Sequence, residues 1–128
     1  MKLKVKEGYF PFSPDKELDE TELYEKFEKE WGFISQVNLS IQECAELICA
    51  FTEIIRRNKP NVKSDSAIID ITKLQREIAD VEIMIAQIKY SLRIKDKDIE
   101  IAKRIKLLRT FERWRSCQAA RRMMEWAE

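Results

Sequence analysis

Seven apolar residues, Ile71, Leu74, Ile78, Val81, Ile85, Ile88 and Leu92, recur in alternating steps of three and four. That spacing keeps them on one side of a helix for about three heptads. It fits no strand, whose side chains change face at every residue. A helix with one apolar side needs another element to cover it. The rest of the chain offers mainly helices. Only two Gly and three Pro occur in 128 residues, while Glu, Lys, Leu and Ile are abundant, so breaks are few. The expected fold is all-α, a bundle of about four helices completed by oligomerisation.

Residues 1–18 read as an N-terminal arm, broken by Pro11 and Pro14, with Lys2, Lys4 and Lys6 on a solvated face. A first helix begins near Asp19 or Thr21, either of which can cap it, and acidic residues fill its first turn. Leu23, Phe27 and Trp31 form its expected buried edge, and Gly32 ends or bends it. A second helix runs from about Ser40, or somewhat earlier, to about Asn58. Ile41, Leu47, Ile48, Phe51, Ile54 and Ile55 give it a broad apolar face. Pro60 ends it, and residues 61–66 form a polar linker. Asp65, Ser66 or Asp70 can cap the third helix, and Asp96-Lys97-Asp98 reads as a turn with a new cap. From there to Trp126 nothing breaks the fourth helix, along which Ile101, Ile105, Leu108, Phe111 and Trp114 continue a stripe. Residues 19–110 make the main helical domain. Residues 111–128 extend it as an amphipathic basic helix, with Arg113, Arg115, Arg121 and Arg122 around Met123, Met124 and Trp126. A subunit or domain contact is the expected use of that extension, ahead of nucleic acid or a membrane surface.

Two stretches echo each other. Gln42-Glu43-Cys44-Ala45-Glu46-Leu47 and Arg76-Glu77-Ile78-Ala79-Asp80-Val81 each place two carboxylates three apart. Residues so spaced share a helix face. Glu43 is in line with Leu47, Ala50 and Ile54, and Glu77 with Val81, Met84 and Ile88. A single such pair commonly marks a solvated face. Two pairs on apolar stripes, on helices whose connection lets them fold antiparallel, would gather four like charges inside a bundle. That is untenable without a counter-charge. A hard divalent cation such as Mg²⁺ is the simplest one, because it takes oxygen ligands and binds phosphate.

Other chemistry is narrowed by what is missing. There is no histidine, which removes Ser-His-Asp and Cys-His catalysis and imidazole metal sites. Cys44, Cys49 and Cys117 contain no C-x-x-C, so neither a disulfide framework nor a zinc site is expected. The net charge of +1 gives no argument for nucleic acid. No apolar run reaches the ~18 residues of a membrane span. The expectation is a cytoplasmic protein without a membrane partner.

The run Ile41-Gln42-Glu43-Cys44-Ala45-Glu46-Leu47, followed by Glu77-Ile78-Ala79-Asp80-Val81-Glu82-Ile83-Met84, resembles the MazG-like nucleotide pyrophosphohydrolases of the all-α NTP pyrophosphatase group. Their signature is E-x-x-E…E-x-x-D, and the resemblance covers roughly Trp31 to Arg109. It implies Mg²⁺ held by Glu43, Glu46, Glu77 and Asp80, and hydrolysis of a nucleoside triphosphate to a monophosphate and pyrophosphate. Glu46 and Glu43 are the implied catalytic residues, with Glu46 orienting or deprotonating the attacking water. Basic residues after E-x-x-D hold phosphates in relatives. Lys106 and Arg109 match best here, with Lys89, Arg93 and Lys103 as further candidates. Trp31 is a candidate for the base pocket, and relatives form dimers or tetramers. Many relatives carry another glutamate where Gln42 stands, and an amide is neither a base nor an anionic ligand. The connection between the two pairs is also long for the group. The competing readings are a non-catalytic helical module that keeps the fold and a nucleic-acid-binding helix protein.

Overall fold

In a computed structural model, which describes residues 17–57 and 71–127, the chain folds as four helices with no strand among the described residues. Helix α1 spans Glu20–Trp31, α2 Phe33–Arg57, α3 Ile71–Ser91 and α4 Asp96–Ala127. The fold is the expected all-α bundle. The expected arm (but for residues 17 and 18), the 61–66 linker and the candidate caps Asp65, Ser66 and Asp70 lie outside the described residues. The chain divides into two compact units, Met1–Gln87 and Ile88–Glu128.

In the first unit, α1 starts where a cap was expected. Asp19 is its N-cap, and its carboxylate accepts from the Glu22 amide at 3.1 Å. That contact satisfies one of the amides that have no partner in a helix's first turn. Gly32 closes the helix at φ 81°, a left-handed backbone that costs glycine little, and its amide donates to the Glu28 carbonyl at 2.8 Å. The expected buried edge is only partly covered. Leu23 and Phe27 are half-buried, whereas Trp31 is 56% exposed and stacks on Phe27 with ring centroids 5.2 Å apart. No residue of α1 is buried.

Helix α2 starts at Phe33, immediately after Gly32 and seven residues before Ser40. Tertiary packing outweighs the modest helix preference of Val37 and Asn38 there. Gln36 is buried in that added segment, and its side-chain carbonyl accepts from the Gln87 amide of α3 at 2.6 Å. Gln36 lies near the start of α2 and Gln87 near the end of α3, so the two helices run antiparallel. The buried hydrophobic residues are Ala50 on α2 and Val81 and Met84 on α3. Leu47 and Ile54 on α2, with Leu74 on α3, are half-buried. The broad apolar face expected on α2 therefore splits: Ile41, Ile48, Phe51 and Ile55 remain exposed. The heptad line of α3 splits too. Val81 is buried, while Ile71, Ile78, Ile85 and Leu92 are exposed.

In the second unit, the turn comes three residues before the place read from the sequence. Arg93 adopts φ 56°, and the Ile94 amide donates back to the Lys89 carbonyl at 2.9 Å. This closes α3 in the manner of a Schellman cap, with an arginine where glycine is usual. Asp96 and Asp98 then belong to the first turn of α4, where the exposed amides favour negative charge. Lys89 ion-pairs with Asp96 across the turn. Helix α4 runs unbroken through residues 110 and 111, and it buries no residue.

The buried amide pair yields a test of the packing. Gln36→Leu or Gln87→Leu alone strands one buried amide and should cost about 1–3 kcal/mol in urea unfolding. The double variant should recover much of that loss. A strictly additive double-mutant cycle would show that the bond does not hold the pair.

Candidate functional site

Antiparallel packing in this register brings the two carboxylate stretches level. From Glu43, Glu77 and Asp80, one carboxylate oxygen each lies within 4.8 Å of the other two. Glu43 and Glu77 are half-buried and Asp80 is exposed. No other group of three such side chains gathers as closely among the described residues. Oε2 of Glu77 is buried and has no hydrogen-bond partner. A carboxyl oxygen shut away from water without a hydrogen-bond partner is among the costlier arrangements in a protein.

The electrostatics agree with the geometry. Burial raises the Glu43 carboxyl above its ordinary value, and the nearby charges of Glu46, Asp80 and Glu77 push it in the same direction. Repulsion reaches Glu43 from all three other signature carboxylates, so all four occupy one neighbourhood. Glu46 nevertheless stands apart in its contacts. It is exposed, outside the close group, and its Oε1 accepts from the Gln42 amide at 3.2 Å. Gln42 thus orients Glu46 instead of adding a charge.

A groove of about 360 Å³ lies along the same two helices, lined by Cys49, Ala50, Glu53, Ile54, Arg57, Lys73 and Leu74. Lys73 is one turn before Glu77 on α3. Arg57 binds Glu53 at 2.8 Å, and Arg56 binds the same carboxylate. Hydrogen bonds from these two guanidinium groups hold the Glu53 carboxyl down to about 2. Neither Lys73 nor Arg57 is a site candidate from the sequence, although Lys73 stands four residues before Glu77 on the same helix.

The other residues singled out from the sequence have the following places. Trp31 is at the end of α1 against Phe27. Lys106 and Arg109 are exposed on α4 in the second unit, and Lys89 is engaged with Asp96. Cys44, Cys49 and Cys117 are free and exposed.

The donor set decides what this site can hold. It consists of hard carboxylate oxygens with a deficit of positive charge, which suits a small divalent cation such as Mg²⁺ over a thiophilic metal. The orphaned Glu77 oxygen is the atom such an ion would satisfy.

A scan against protein-family models finds no match to the chain, and searches of curated proteins and of solved structures also return none.

The raised Glu43 carboxyl makes stability depend on pH in a defined direction. Between the ordinary carboxylate range and the raised value, the native state binds more protons than the unfolded chain. Stability therefore falls as pH rises through that interval and stays lower above it. Without divalent cations, Glu43→Gln should melt higher than the wild type at pH 7, and the difference should vanish in acid below the carboxylate range. Adding Mg²⁺ should raise the wild-type midpoint more than that of the variant. Equal midpoints at pH 7 with and without the substitution would show that the cluster carries no charge repulsion.

Proposed function

We propose that this chain is a Mg²⁺-dependent nucleotide pyrophosphohydrolase of the MazG-like kind, acting as a cytoplasmic dimer or tetramer. It would convert a nucleoside triphosphate to the monophosphate and pyrophosphate. The observation that supports this reading is the close group of Glu43, Glu77 and Asp80, with one buried oxygen of Glu77 left without a partner. Independent of that geometry, the E-x-x-E and E-x-x-D pairs stand on the positions the resemblance implies.

In this reading Glu43, Glu77 and Asp80 hold the ion, with Glu46 beside them. A bound Mg²⁺ supplies the positive charge that offsets the carboxylates and neutralises charge developing on the leaving pyrophosphate. The protein's own groups do the rest. Glu46, exposed and oriented by the Gln42 amide, takes the proton from the attacking water. The water oxygen bonds to the α-phosphorus as the bridge from that phosphorus to the β-phosphate oxygen breaks, and pyrophosphate leaves with the bonding electrons. Lys73 and Arg57 line the adjoining groove, and they bring positive charge to the side where a polyphosphate chain would extend. Lys106, Arg109 and Lys89 remain the phosphate contacts that the resemblance implies, and Trp31 the contact for the base.

The test is pyrophosphate release from a panel of ribo- and deoxyribonucleoside triphosphates with Mg²⁺. Glu46→Gln should lower kcat by ~10²-fold or more, the scale of losing a general base. Glu77→Gln should abolish the dependence on Mg²⁺ together with the activity. Equal release by wild type and Glu46→Gln would refute the assignment. No release and no thermal shift with any nucleotide would favour a non-catalytic helical module instead.

A further inference from the structure

Positive charge is gathered on α4. From Lys103 to Arg122 the sequence carries eight lysines and arginines and a single carboxylate, Glu112. The whole chain is only +1, so that stretch stands at net +7 and the remainder at −6. Helix geometry, at about 100° per residue, sorts these charges by side. Lys103, Arg104, Arg115, Arg121 and Arg122 fall within an arc of about 140°. Phe111, Trp114 and Trp126 are interleaved with them in the same arc. Between Lys103 and Arg122 no carboxylate falls in it, and Glu100 and Glu125 stand at its two ends. Glu112 lies outside the arc, as do Lys106 and Arg109, the phosphate contacts that the resemblance implies.

The aromatic side chains of this arc are open and ordered among the cations. Phe111, Trp114 and Trp126 are 50, 56 and 91% exposed, and α4 buries no residue. Phe111 and Trp114 stack with ring centroids 5.9 Å apart, and the Arg115 guanidinium sits 5.8 Å from the centre of the Phe111 ring. Such a contact sets flat surfaces and a positive charge side by side. Most of the cations are unmatched. Lys103 pairs with Glu100 at 2.8 Å, and Arg115 reaches Glu112 at 3.6 Å. Arg104, Arg121 and Arg122 have no carboxylate partner among the described residues.

We propose that this side of α4 binds single-stranded nucleic acid, its arginines on phosphates and Trp114 and Trp126 against bases. Charge complementarity is the first argument. A strand presents one negative charge per nucleotide. The stretch from Lys103 to Arg122 is about 29 Å long at 1.5 Å per residue, the length of about eight phosphates at ~3.4 Å each. Interleaving is the second argument. An unpaired strand offers base faces to an exposed indole and phosphates to the guanidinium groups beside it. A duplex keeps those faces stacked inside. The third argument sets this partner apart from a lipid surface. A helix lying on a membrane keeps its cations off its apolar side, whereas Arg104, Arg115 and Arg122 stand within about 40° of Phe111. The more apolar flank, through Ile101, Ile105 and Met123, has Glu112 in its midst. The proposal stands on α4 alone and needs neither the carboxylate group nor the nucleotide reaction.

Titrating the full chain into a labelled oligothymidylate of ~20 nucleotides should raise its anisotropy, with a micromolar dissociation constant at ~50 mM salt. With four arginines on phosphates, binding should weaken about 50-fold between ~50 and ~200 mM salt. Trp114→Ala should weaken it about 5-fold or more, the scale of one stacked base. Arg122→Gln should lower both the affinity and the salt dependence. Arg113→Gln removes the same charge from the far side of the helix and should leave both near the wild type. Circular dichroism would check that the helices persist, and if Trp114→Ala loses them, the comparison of Arg122→Gln with Arg113→Gln decides. No binding at ~50 mM salt would overturn the proposal, and so would equal weakening by the two arginine variants. Tighter binding to a duplex of the same length would also overturn it, as would binding only to phosphatidylserine vesicles, or to polyglutamate of matched charge as tightly as to the strand.

Discussion

The bond between Gln36 and Gln87 sets the register on which the rest of the first unit depends. Apolar contacts between helices are forgiving. A slip of one turn exchanges one aliphatic side chain for another at little cost. A buried amide pair is not forgiving, since a slip leaves both groups dry and unpaired. Gln36 and Gln87 are 3% and 1% exposed, so neither has water as an alternative partner. With them joined, α2 and α3 are fixed end against end, and Glu43 comes level with Glu77 and Asp80. The carboxylates do not choose this arrangement for themselves, because their mutual repulsion opposes it.

The register therefore holds a strained site in place. The apolar core that accompanies it is small, with Ala50, Val81 and Met84 as its buried hydrophobic members. A core of that size leaves little surplus stability. Yet the same helices carry a carboxylate oxygen with no partner and a glutamate whose ionisation burial resists. Local conflict of this kind, set against otherwise consistent helix signals, is where functional sites are expected. The Asp19 cap, the Gly32 stop and the acidic first turn of α4 agree with the fold, while the carboxylate group works against it.

Most of the helical layout was legible in the sequence because it depends on local rules. Asp19 caps α1, Gly32 ends it, and the long fourth helix is uninterrupted. The carboxylate pairs were legible for the same reason, since three-residue spacing fixes a helix face. What escaped the sequence is tertiary. The second helix was expected from about Ser40 or somewhat earlier, and no local rule marks Gln36 for burial, so the full extent of α2 was not legible. The apolar stripe of α3 read as one buried line, whereas the structure buries its edge at Val81 and Met84 and leaves Ile71, Ile78 and Ile85 open. Periodicity shows that a face exists, but it cannot say whether one neighbour or two will cover it. Lys73 and Arg57 were not legible because the resemblance points to cations that follow E-x-x-D, while the groove takes its own from one turn before Glu77 and from the end of α2.

The α2–α3 pair links these observations. A pair of helices with a minimal core, repulsive carboxylates and exposed isoleucine has two unmet needs. A cation among the carboxylates would relieve the first, and apolar cover the second. Each would bind the native state and not the unfolded chain, so each would add to stability by mass action. Because the same helices bear both faces, occupancy of either one would strengthen the scaffold that presents the other. That coupling requires no movement between two shapes. It follows from a scaffold whose own stability is small beside the free energy its two faces can gain.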